Sequence, residues 1–164
     1  MALGVSLATG CSRPPAGEAA DTGPRVYATG TITWGQDGAQ KVDWNLQEIA
    51  GFSRALSLKT VAVDQVSTLS ASRQSPDDRL WFVWANVASG APTVVFGGAT
   101  ADVDRVVVVD TEGNQLTLPL SPAGQGWQYA VTELPAGWVG NQRLDVVGLS
   151  GTREVAREPL ARVA

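Results

Sequence analysis

No histidine occurs anywhere in the 164 residues, and there is one cysteine. The first absence removes the commonest general base and the commonest metal ligand. The second excludes an intrachain disulfide and a thiolate metal cluster. Charge is sparse as well. Only 17% of residues are charged, the net charge is −4, and no stripe of Lys and Arg runs along the chain. That argues against nucleic acid as a partner. Serines abound, but a Ser-His-Asp arrangement is impossible without His. Lys41 and Lys59 are the only lysines, and neither follows a serine at SxxK spacing. No Gly-rich stretch has the GxxxxGK spacing of a phosphate cradle. A two-carboxylate glycosidase is permitted by residue type, but it needs a cleft that a domain this small rarely builds. The sequence therefore predicts a non-enzymatic protein with no cofactor and no metal.

What is present is apolar and turn-rich. Hydrophobic residues make up 44% of the chain, enough for a core, so wholesale disorder is rejected. The length suits one domain. Eighteen Gly and nine Pro lie between short apolar runs, the pattern of many strands and turns.

The clearest fold signal runs from Thr93 to Leu120. Val106, Val107, Val108 and Val109 stand in a row. β-branched side chains suit a pleated surface, and four in succession predict a strand covered on both faces. Asp110 and Gly113 then match the first and fourth positions of a type I turn, with Gly free to take φ > 0. Leu116, Leu118 and Leu120 alternate with polar neighbours, a period of two. Pro119 lacks an amide donor, so this strand is at an edge or ending.

Further strands are predicted at Arg25–Trp34, Lys41–Leu46, Leu56–Asp64 and Val66–Ser70. Between the second and third, Asn45 could cap a short helix with Glu48 three residues on. Leu80–Val87 is apolar on both sides and reads as a central buried strand. Gly97-Gly98 reads as a bulge or bend, and Pro122–Gly126 as a loop. Trp127, Tyr129 and Val131 share one face of a later strand. Leu144–Leu149 and Glu154–Leu160 form a last hairpin around Ser150-Gly151. Nine to eleven short strands with little helix define an all-β chain, an antiparallel β-sandwich.

The amino terminus carries a different kind of signal. An apolar run leads into Leu7-Ala8-Thr9-Gly10-Cys11, which resembles the lipobox of bacterial lipoproteins. The resemblance implies a diacylglyceryl group on Cys11 and cleavage before it. The apolar run is short, and no Lys or Arg precedes it, unlike a full signal peptide. A chance cysteine in an unstructured leader is the alternative. Ser12–Pro24 is small, polar and rich in Pro and Gly, the composition of a linker. Three segments follow: 1–10 as a truncated signal-peptide-like leader, 11–24 as lipidated Cys and linker, 25–164 as one β-sandwich domain. From about Thr93 onward the strand pattern resembles immunoglobulin-like modules of bacterial surface proteins. That implies an architecture and no active site. Together these resemblances imply an extracytoplasmic protein, lipid-anchored to the bacterial cell membrane. Its β-sandwich would be an interaction or structural module, with a cell-envelope protein or glycan as partner.

Six tryptophans, at 34, 44, 81, 84, 127 and 138, outnumber Phe and Tyr together. Trp81, Trp84 and Trp127 lie in apolar strands and are expected in the core. Trp34, beside a turn, and Trp138, in a Gly-rich loop, are the candidates for exposure and for binding a glycan or small ligand. Asp102 and Asp104 invite a Ca²⁺ reading, but no spaced loop of acids supplies the six or more oxygens required. Asp77-Asp78 point apart as neighbours and make a poor acid/base pair.

Overall fold

A computed structural model describes residues 23–49, 55–62, 65–124, 126–140 and 142–163. The proposed leader, Cys11 and the linker up to Thr22 lie outside the described residues. The described chain forms thirteen strands and one 3-10 turn, Gln36–Gly38. It is all-β, as the sequence predicts.

The strands make three sheets. The first is a meander of β1 (Val26–Trp34), β2 (Gln40–Glu48), β3 (Ala55–Ala62) and β4 (Gln65–Ser72), in that order. The second contains β5 (Leu80–Asn86), β6 (Thr93–Thr100), β9 (Ser121–Gly124), β10 (Trp127–Glu133) and β13 (Ala161–Arg162). Its order is β13-β5-β6-β10-β9, and among the described strands only the short β13 pairs in parallel. The third contains β7 (Arg105–Val109), β8 (Gln115–Thr117), β11 (Asp145–Ser150) and β12 (Arg153–Pro159), in the order β12-β11-β7-β8.

The second sheet has a core on each face. Trp81, Ala85, Val94, Phe96 and Trp127 pack with Ile32, Val42, Leu46, Leu56 and Leu58 of the first sheet. Leu80, Phe82, Val95, Ala99 and Ala130 pack with Val106, Val108 and Val146 of the third. Successive residues of a strand point to opposite faces. A strand buried on both sides must therefore be apolar throughout, which is why Leu80–Ala85 reads as an unbroken apolar run. The first sheet instead alternates. Ile32 faces the core, while Thr31 and Thr33 are exposed.

The Val106–Leu116 hairpin forms as its sequence predicts. Val108 pairs with Leu116 and Val109 with Gln115. Asp110 organises the turn. Its Oδ1 accepts the amides of Glu112 and Asn114, at 2.9 and 2.8 Å, and its Oδ2 accepts the Asn114 side chain at 2.7 Å. Gly113 takes φ 85° and donates to the Asp110 carbonyl. β8 stops before Pro119 at the edge of its sheet.

Three expectations are corrected. Asn45 caps no helix; it lies inside β2, opposite Thr29 and Lys59. Val42 and Leu46 on the same strand are buried. Burying each contributes roughly 2 kcal/mol, against about 1 kcal/mol for a helix cap. Second, part of the supposed loop Pro122–Gly126 is strand, with Pro122 opposite Gln128. Third, Gly97 and Gly98 make no bulge. They stay in register with Phe82 and Trp81, whose rings and backbone crowd them.

Candidate ligand groove at Trp34

Trp34 closes β1 and is half-buried against the core between the first two sheets. A tight turn with φ 83° at Gly35 follows it. Across from it, the β5–β6 connection turns at Gly90, φ 75°, where Ala91 donates to the Ala88 carbonyl. β10 ends beside the same connection, because Glu133 pairs with Val94 and the Leu134 amide donates to Thr93 at 2.8 Å. These three segments enclose an open groove of about 660 Å³. Trp34, Pro92, Leu134, Pro135 and Val139 supply its apolar lining, Thr93 and Glu133 its polar groups.

Trp34 Nε1 is buried without a hydrogen-bond partner among the described residues, and a β-carbon at Gly90 would come 3.8 Å from it. The groove thus offers a ring, two prolines and one carboxylate. That set suits an apolar or sugar-ring face with a hydroxyl or amide at its rim.

The sequence paired Trp34 with Trp138, and the fold does not bring the two to one site. Trp138 is half-buried against the core between the second and third sheets. Its neighbours Gly137 and Val139 line the groove in its place. The Trp138 carbonyl accepts Gln142 Nε2 at 3.2 Å. Trp81 and Trp127 are buried, and Trp44 and Trp84 half-buried. No single stretch of sequence announces the residues that complete the groove, because they come from two segments far apart in the chain, one from Gly90 to Thr93 and one from Glu133 to Val139. Only the β6–β10 pairing joins them, and no local signal encodes that pairing.

The acidic candidates resolve into structural roles. Asp102 meets Arg79 at 3.1 Å, while Asp104 accepts the Gly151 amide at 2.7 Å. Asp78 accepts the amides of Gln74 and Ser75. Among the described residues no group of three or more acidic or thiol side chains could hold a metal. None of the described helices is long and apolar enough to cross a membrane. No protein-family model, no curated protein and no solved structure matches the chain.

Proposed function

We propose that this chain is a membrane-anchored extracytoplasmic lipoprotein whose β-body is a non-enzymatic interaction or structural module. Cys11 carries the lipid, and Ser12–Pro24 joins it to the body. The observation that carries this reading is the position of the only thiol. It stands 15 residues ahead of Val26, where the first strand begins, in a lipobox-like segment. A diacylglyceryl group brings two chains, enough for stable attachment. Thirteen linking residues reach roughly 40 Å when extended.

The body is read as immunoglobulin-like, with an added layer. The orders β5-β6-β10-β9 and β12-β11-β7-β8 correspond to strands ABED and GFC plus C′ of that sandwich. The resemblance thus extends upstream from Thr93 to Leu80. The β1–β4 meander covers the outer face of the first of these sheets.

Intact mass of the membrane-extracted protein tests the anchor. The expected species begins at Cys11 and carries diacylglycerol, and Cys11→Ser moves the protein to the soluble fraction. A retained leader with an unmodified thiol overturns the reading.

A second function is favoured by the groove: binding of a glycan or small ligand at Trp34. It requires Trp34 and not Trp138.

A further inference from the structure

The sheet edges differ in how they are protected. An unpaired strand edge invites pairing with another chain, and proteins blunt such edges with charge, proline, shortness or a cover. β8 and β13 are three and two residues long. β9 is four residues with Pro122 inside it. β12 carries two Arg, two Glu and Pro159. β4 lies against β5.

β1 has none of these devices along most of its length. It is nine residues, VYATGTITW, with no charge and no proline, and among the described residues its only sheet partner is β2. One protection exists at its start, where Tyr129 Oη donates to the Tyr27 carbonyl at 2.9 Å. From Ala28 to Trp34 no strand but β2 pairs with it among the described residues.

The strand is also complementary to itself. Gly30 is its central residue. An antiparallel two-fold through Gly30 sets Thr29 opposite Thr31 of a second copy, and Ala28 opposite Ile32. Both pairs match in face: Thr29 and Thr31 are exposed, whereas Ala28 and Ile32 belong to the core side. Cross-strand Thr–Thr pairs are favourable, and no like charges oppose each other. Gly30 has no side chain, and the half-exposed Trp44 indole lies over it, so close that a β-carbon would come within 2.6 Å. The two-fold brings both Trp44 rings toward the axis and covers them.

We propose that β1 pairs with β1 of a second copy, joining two four-stranded meanders into one eight-stranded sheet. The contact is isologous and closes as a dimer. It does not depend on the lipid.

Sedimentation equilibrium of the full chain tests this, in reducing buffer so that a Cys11 disulfide contributes nothing. The expected result is a concentration-dependent dimer. Thr29→Lys with Thr31→Lys places two symmetry-related like-charge pairs across the contact. It should raise the dimer Kd by roughly tenfold or more while the circular dichroism spectrum stays unchanged. Should that variant fail to fold, amide exchange on the wild type decides. Protection at Ala28–Trp34 should rise with protein concentration while protection along β4 does not. A monomer at every concentration, a dimer that a folded lysine variant leaves intact, or protection indifferent to concentration overturns the proposal. So does a monomer whose β1 is protected only by an added peptide strand.

Discussion

Gly98 lies so close beneath the indole of Trp81 that a β-carbon there would fall 2.4 Å from a ring carbon. The two residues are cross-strand partners on β6 and β5. Trp81 is buried, so the ring has nowhere to retreat. Gly98→Ala should therefore cost about 1–3 kcal/mol, as overpacking does. Urea unfolding reads this as a lower midpoint at an unchanged m value. Trp81→Ala alone should cost about 3–5 kcal/mol. The double variant should cost less than the sum, because the clash disappears with the ring. Additive losses would show that Gly98 is not there to admit the indole.

Asp110 ties its hairpin turn to acid stability. Its carboxyl titrates below the ordinary aspartate value of 3.8, chiefly because the Asn114 side chain donates to it. Desolvation works against this, and the amides of Asn114, Glu112 and Gly113 add to it. A folded pKa below the unfolded one means the stabilisation is complete above the unfolded value and fades as pH falls through the folded one. Asp110→Asn should lower the thermal midpoint at neutral pH. The gap between wild type and variant should close as pH drops below about 3.8. A gap that stays constant on acidification would assign the loss to geometry and not to charge.

Tyr129 spans 102 residues to reach the Tyr27 carbonyl. The same two rings sit 5.3 Å apart at 44°. Tyr129→Phe keeps the ring contact and removes the donor. The loss should be about 0.5–1.5 kcal/mol, the net value of such a bond. Amide exchange near Tyr27 should quicken more than exchange in β11, which lies in another sheet. Uniform quickening would mean that the bond holds no particular strand.

Much of the fold is legible in the sequence where the signal is local. Asp110 and Gly113 carry their turn within five residues; the unbroken Val106–Val109 run marks the strand before it, and the period of two from Gln115 marks the strand after it, which ends at Thr117, short of the predicted Leu120. The buried run Leu80–Ala85 announces a strand with two covered faces. Most of the differences involve a distant partner. Gly97 and Gly98 look like a bend because nothing nearby says that Trp81 and Phe82 will lie across them. Pro122 looks like loop until β10 pairs with it. Asn45 looks like a cap, although Val42, Trp44 and Leu46 around it already alternate as a strand should. The candidate site suffers most. Trp34 and Trp138 resemble each other as turn-side indoles, and only the three-sheet stack sends them to different cores.

That separation makes the groove testable with two variants and one readout. Trp34 lines the groove, and Trp138 does not. Titration with cell-wall oligosaccharides should quench or shift the intrinsic tryptophan fluorescence of the wild type. Trp34→Ala should weaken binding by about tenfold or more, roughly 1.4 kcal/mol. Trp34→Phe keeps a flat ring and should recover part of it. Trp138→Ala should cost roughly 1–3 kcal/mol of stability, since its ring packs on the second core, and leave the affinity unchanged. Equal loss of affinity in both alanine variants would point to general loosening of the fold. No response from the wild type to any cell-wall sugar would remove the glycan reading and leave the body as an interaction or structural module.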